Sequence, residues 1–340
     1  MATTNIPRAG ASGGHSSDGG LPTGGLPTGG LPTGGLPTGD LPTGGLPTGG
    51  LAKMGGVRRR RGFLAGRGET VMRGVFFLSA AASILGVLLI CAFLFGNGLP
   101  AIGKIGVGAF LAGTEWSPVD VPPVFGLLPM IAGSLCITAG AVAAGVPLGV
   151  LCAVFLAFVC PKRLYRLLKP GVDLLAGVPS VIYGFFGMAV LVPYTGNSIL
   201  SACILLSVMI LPTVIGISES ALRAVPRHYY EGAAALGAGH YRAVFSVVVP
   251  AAKSGVLAAA VLGVGRAVGE TMAVIMVAGN QARLPVSLFK GARTLTANVV
   301  IEMGYAAELH REALIATGLV LFVFILIINL CFAALVRRRV

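Results

Sequence analysis

The chain has 340 residues, 55% of them hydrophobic and only 11% charged, with mean hydropathy +0.88 and a formal net charge of +13. Soluble domains carry about a quarter charged residues, so this composition excludes a soluble globular protein and indicates an integral membrane one. The six cysteines form no CxxC and the four histidines show no metal-ligand spacing, so neither set builds a metal or redox centre.

Taken in chain order, residues 1–56 come first. The pentad GLPTG recurs six times over 20–49, with Asp40 replacing one glycine. Glycine and proline at this density can neither sustain a helix nor bury a core, so 1–56 reads as a disordered Gly/Pro-rich tail. It lacks a charged stretch followed by an apolar one and is not expected to be a signal peptide. Arg58 to Arg61 follow and read as a topological anchor beside anionic headgroups.

A membrane-crossing helix needs about 20 mostly apolar residues. Six stretches qualify: 72–96, 127–159, 172–194, 198–218, 253–279 and 313–335. The second is long enough to bend, with Pro147 as the expected place. "YTGNS" at 194–198 predicts a tight turn between the third and fourth. With the amino terminus in the cytoplasm, 19 of the 25 basic residues fall in the tail, 160–171, 219–253 or the final residues. This is the positive-inside bias, and it accounts for the basic charge without nucleic acid. Trp116, the only tryptophan, lies in the outer loop 97–124 and is expected to anchor at the membrane interface.

Two near-motifs carry no nucleotide chemistry. "PAAKS", with Lys253 and Ser254, lacks the glycines of a phosphate-cradling loop. "GVGRAVG" at 263–269 has neither the spacing nor the preceding strand of a dinucleotide fingerprint. The chain is therefore expected to bind no cofactor itself.

The loop 219–250 is far longer than a simple connection. Its alanine-rich helix formers, with Tyr229, Tyr230, Tyr241 and Phe245, suit a short amphipathic helix that docks in a partner's groove. Glu231, Gly232 and Ala233 are followed after three residues by Gly237, and after nine more by Val247, Val249 and Pro250. This spacing resembles the cytoplasmic EAA loop of ABC importer permeases. Gly232 stands where alanine is usual, and valines replace isoleucine and leucine. Gly232 weakens a helix by about 1 kcal/mol relative to alanine.

The fifth stretch contains Arg266 and Glu270 within an apolar run. An arginine at mid-membrane costs about 2.5–3.5 kcal/mol even on permissive scales and must face a packed interior or a wet cavity. Residues four apart share a helical face, so the two can pair. Ala259, Gly263, Ala267 and Ala273 fall near the same face and permit close helix approach, with a GxxxG at Gly265 and Gly269 on its flank. One reading makes the pair a self-neutralising packing element. The other makes it part of a substrate path, where the arginine fork meets a tetrahedral oxyanion.

"LLAGVPSVIYGFFGMAVLVP" (174–193) and "GVGRAVGETMAVIMVAGN" (263–280) resemble the phosphate importer permease, PstC type, and the resemblance spans about 70–336. It implies an all-α, six-helix MetI-like permease fold in the bacterial inner membrane with both termini cytoplasmic. The implied division is a tail at 1–56, an anchor with first helix and periplasmic loop at 57–124, and a permease core at 125–336. It also implies a PstA-type sister permease, a PstB-type ATPase dimer that holds ATP and Mg, and a PstS-type phosphate-binding protein. Arg266 and Glu270 would line the path, and Glu231, Gly232, Ala233 and Gly237 would dock the ATPase. A permease for sulfate or molybdate, a secondary transporter or channel, and a membrane scaffold reporting phosphate status are the competing readings.

Overall fold

The computed structural model describes residues 63–339. The GLPTG tail and the Arg58–Arg61 anchor lie outside the described residues. The described chain is almost wholly helical. Four helices are long and apolar enough to cross a membrane, and two bent pairs raise the number to six when each pair counts as one span.

Helix α1 (Phe63–Ile105) is longer than its apolar stretch predicts and runs through Pro100. Its later part packs on the last helix, α14 (Glu308–Arg339). There Phe95 meets Phe322 edge to face at 6.4 Å, and Lys104 Nζ pairs with Glu312 at 2.6 Å. The earlier part, from Val71 to Ile90, exposes its apolar side chains. Next come a short helix α2 (Val107–Ala112) and a two-stranded antiparallel hairpin, β1 (Trp116–Ser117) with β2 (Val124–Phe125).

Helix α3 (Leu128–Val154) continues through a π turn at Phe155–Val159. The helix runs unbroken through Pro147, and the irregularity lies at the π turn instead. Helix α7 (Ile199–Ala224) is the most buried span and lies against α3. Glycines on α3 allow this approach. A Cβ on Gly149 would come within 2.7 Å of Val214 Cγ1, and one on Gly145 within 2.7 Å of Ile210 Cδ1. In lipid, where apolar transfer gives no drive, such small-residue contact is what holds helices together.

The third stretch is not a straight span. Helix α4 (Lys162–Gly177) meets α5 (Ser180–Phe186) at 100°. Pro179 disfavours helical geometry at the residue before it, and Val178 is extended at φ −68°, ψ 128°. Helix α4 is basic and amphipathic and buries none of its residues, as suits a helix lying on a membrane surface. Helix α5 continues through a π turn into α6 (Val192–Thr195). The expected turn at 194–198 is present: Gly196 has φ 69°, and Ser198 caps α7 by accepting from the Ser201 amide.

The fifth stretch is broken once, and a sharp bend precedes it. After α8 (Arg227–Ala235) and α9 (His240–Ala243), a π turn leads into α10 (Val249–Ala251). The chain then bends by 70° into α11 (Lys253–Gly269). Helix α11 stops at Gly269, and a separate short helix, α12 (Met272–Val277), follows. A loop then leads to α13 (Leu295–Glu302) and α14. The main core joins α3, α5, α7, α11 and α12 around Ile137, Leu205, Met209 and Val277.

Candidate functional site

Arg266 lies one turn before the end of α11. The small face of that helix packs inward as its residues predict: Ala259, Gly263 and Ala267 are buried, and Gly263 lies against Val214; Ala273, also buried, falls beyond the break on α12. A Cβ added at Gly265 or Gly269 would meet nothing within 4 Å outside the helix's own backbone among the described residues. The ion pair that the sequence spacing allows is absent. Glu270 has left the helix, with extended backbone at φ −71°, ψ 129°. The four-residue spacing therefore no longer places it on the face of Arg266. Instead Glu270 Oε1 accepts from the Ala273 amide at 3.2 Å and caps the start of α12. Arg266 Nε is buried without a hydrogen-bond partner among the described residues, and the guanidinium makes no ion pair there. In this structure the two charges therefore do not neutralise each other directly.

Both ends of α12 are held by the segment that opens α13. Thr296 Oγ1 donates to the Glu270 carbonyl at 3.2 Å. At the other end the Ala292 amide donates to the Ala278 carbonyl at 2.9 Å, and Arg293 Nε donates to the Asn280 carbonyl at 3.0 Å. On its flank α12 touches α5, where Gly184 leaves room for Met276 and Ala273.

Behind Arg293 lies a buried polar cluster that sequence reasoning missed. Glu302 binds Arg293 Nη1 through one oxygen, and through the other it accepts from Trp116 Nε1 at 2.7 Å and His310 Nε2 at 2.9 Å. Arg293 Nη1 also donates to Asn298 at 3.0 Å. Trp116 is only 7% exposed and stacks edge-on to Phe125 at 5.6 Å. It is not a membrane-interface anchor: its indole N–H has a buried carboxylate to satisfy, and the hairpin carries it inward. Tyr305 is largely exposed; partial desolvation and the Glu302 charge raise its phenol pKa above the ordinary value. Trp116, Arg293, Asn280 and Arg283 line a cup of about 760 Å³ at this end of the bundle.

The opposite end carries the motif loop. Glu231, Gly232 and Ala233 lie on α8, with Glu231 and Gly232 exposed. Gly237 ends the helix in the left-handed region at φ 84°. The Gly237 amide bonds the Ala234 carbonyl at 2.9 Å and the Ala238 amide bonds that of Ala233 at 3.0 Å, the paired closure of a Schellman turn. The motif glycine is thus required by backbone geometry. Leu236 is 91% exposed and Tyr241 63%, giving the loop an apolar outer surface. Beneath it Glu219, 3% exposed, collects Tyr165 Oη at 2.8 Å and Arg223 Nε at 2.9 Å. Its other oxygen forms an ion pair with Lys169 at 3.2 Å without hydrogen-bond alignment. Glu219 so ties α4 to the end of α7, just before α8. Proline spacing could have flagged α4, but no local pattern signals a carboxylate serving partners 50 residues away.

These features describe a multi-span membrane protein with a broken helix beside a buried arginine and an exposed, partly apolar loop at one end, as in the membrane subunits of transporters. The family described as the binding-protein-dependent transport system inner membrane component matches residues 145–340. A probable ABC transporter permease, YqgH of Bacillus subtilis, is 39% identical over 77% of this chain and 89% of its own length. The phosphate transport system permease PstC of Mesorhizobium japonicum is 34% identical over 73% of this chain and 84% of its own. Among solved structures, the fold is similar to the inward-facing MetNI methionine ABC transporter (TM-score 0.55, 21% identity, 63% of this chain and 96% of that one). It is also similar to a bacterial importer of the polysaccharide alginate (TM-score 0.58, 15% identity, 79% of this chain and 98% of that one). The chain belongs to the family of binding-protein-dependent transport system inner membrane components. It is thus an ABC permease subunit that works with a binding protein and with ATPase subunits separate from it.

Proposed function

We propose that the chain is the permease subunit of an ATP-driven phosphate importer of PstC type, forming half of the path for inorganic phosphate. The curated PstC relatives support the substrate. The observation that carries the role of the site is Arg266, whose buried Nε has no partner within the described chain. A guanidinium kept at that depth costs free energy, and an oxyanion in the path gives it a bidentate partner. Glu270 sits one residue beyond α11 and is not consumed by Arg266. It can accept a hydrogen bond from a protonated phosphate oxygen, which sulfate at neutral pH lacks. It also keeps the anion from binding too tightly to be released.

In this reading the cup faces the periplasm and receives a PstS-type binding protein. Helix α8 and Gly237 dock a PstB-type ATPase, which alone holds ATP and Mg; this chain binds no cofactor. A PstA-type permease supplies the other half of the path. Both termini are cytoplasmic, in a bacterial inner membrane. ATP binding would shift the pair of permeases between outward and inward states through α8. The test is phosphate uptake by the assembled complex carrying Glu270→Gln, which keeps the cap on α12 but removes the charge. Uptake should fall sharply and phosphate should lose its advantage over sulfate. Unchanged uptake and selectivity would refute the role of Glu270.

A further inference from the structure

Helix α12 is the element that joins the proposed path to the outer cup, and it is too short to hold itself. Six residues form only a couple of helical hydrogen bonds, and isolated helices of this length do not persist. Its position must come from its attachments. At the Glu270 end these are the Glu270 side chain on the Ala273 amide and Thr296 on the Glu270 carbonyl. At the Asn280 end they are the Asn280 side-chain Nδ2 donating to the Ile275 carbonyl at 2.7 Å and Arg293 Nε donating to the Asn280 carbonyl.

Arg293 in turn has one ionic partner among the described residues, Glu302, whose side chain is 5% exposed. Glu302 is oriented by Trp116 and His310, on the hairpin and on α14. A continuous set of charge-assisted hydrogen bonds therefore runs from Trp116, on the cup wall, through Glu302 and Arg293 to the outer end of α12. The covalent chain of α12 completes the route to Glu270. Asn280 has left-handed backbone at φ 50°, so its carbonyl direction depends on being held. The path function absorbs none of these residues.

We propose that Glu302 is a positioning residue for transport: with Arg293 it latches the outer end of α12 and so sets where Glu270 stands in the path. The proposal rests on the reading of Glu270 given above. It makes the cup wall at Trp116 the place where a docked binding protein bears on the path, since Trp116 is both a lining residue and the outermost member of the latch.

The experiment uses the complete complex in nanodiscs with its ATPases and loaded binding protein. Amide exchange over 271–280 is measured for Glu302→Gln and for the milder Trp116→Phe, which keeps the aromatic contact with Phe125 and removes a single donor. Exchange should quicken by roughly tenfold in Glu302→Gln and by about threefold in Trp116→Phe, with α7 unchanged. Maximal uptake should fall in the same order, while the binding-protein concentration at half-maximal uptake stays put. On a Glu270→Gln background, Glu302→Gln should lower uptake no further.

Unchanged exchange over 271–280 in both variants would overturn the latch. A rise in the half-maximal binding-protein concentration at unchanged maximal uptake would overturn it too, because the cluster would then serve docking alone. If α12 loosens while Glu270→Gln alone transports phosphate normally, the latch stands as structure, but its proposed role in transport falls with the reading of Glu270.

Discussion

Replacing Arg266 with methionine separates a packing role from a transport role. The side chains are similar in reach, so Arg266→Met leaves little void and removes only the charged, donor-rich head. In the structure that head makes no ion pair among the described residues, and its Nε is buried and unsatisfied. An unsatisfied buried donor costs about 1–3 kcal/mol, and an arginine at mid-span costs about 2.5–3.5 kcal/mol on insertion scales. Arg266 is half-buried rather than sealed, so the smaller figure governs, and a gain of about 1 kcal/mol is expected on removal. For a chain of this size that corresponds to an upward shift of about 2 °C. The assay is the fraction of assembled complex surviving a heat step, followed by size exclusion, read alongside phosphate uptake. Because membrane complexes unfold irreversibly, inactivation half-times are compared at fixed temperature. The variant should be at least as stable as the parent and inactive. A drop of several degrees would show that the guanidinium is bonded in the assembled complex, and a stable variant with normal uptake would refute its role in the path.

Three further substitutions probe the motif loop and the anchoring of α4. Gly232→Ala and Gly237→Ala should act in opposite directions. Neither added Cβ meets a neighbour, so Gly232→Ala should stabilise α8 by about 1 kcal/mol, whereas Gly237→Ala forces a left-handed alanine at a cost of about 1–2 kcal/mol. Amide exchange over 227–237 and retention of the ATPase on an affinity column report both, and equal effects would contradict the assigned turn. Glu219→Gln removes the charge that gathers Lys169 and Arg223. These two are partly exposed, so the loss is discounted to about 1–2 kcal/mol. Trypsin cleavage at 162–169 should quicken as α4 loosens; an unchanged rate would show that α4 is held by other means.

Much of the fold follows from patterns that act locally. Hydropathy placed the spans, the turn at 194–198 was readable from glycine and serine, and the small face of α11 was readable from spacing. The spacing at 231–250 marked the exposed loop proposed to dock the ATPase, and the reason for Gly237 is visible only once its φ is known. What failed were the places where one apolar run hides two elements. The break at Val178 had a signal in Pro179, overridden by the surrounding leucines. The break at Glu270 had none: no proline precedes it, and periodicity continued smoothly into Met272. Pairing Arg266 with Glu270 was sound for a continuous helix and wrong for a broken one. The Glu302 cluster joins residues from four separate segments, which no window along the chain can see. A tryptophan in an outer loop ordinarily sits at the membrane interface; what draws Trp116 inward is the Glu302 carboxylate that accepts from its N–H, a partner 186 residues away that no local pattern reveals.

The central claim is that this chain forms half of a phosphate path driven by a separate ATPase. It is tested most directly in proteoliposomes containing the chain with its sister permease and ATPases. Radiolabelled phosphate uptake is measured with loaded binding protein, with and without internal ATP, and against excess sulfate. The account predicts ATP-dependent phosphate uptake that sulfate does not suppress and that Arg266→Met abolishes. Phosphate uptake without ATP, or ATP-driven uptake of sulfate in preference to phosphate, would contradict it.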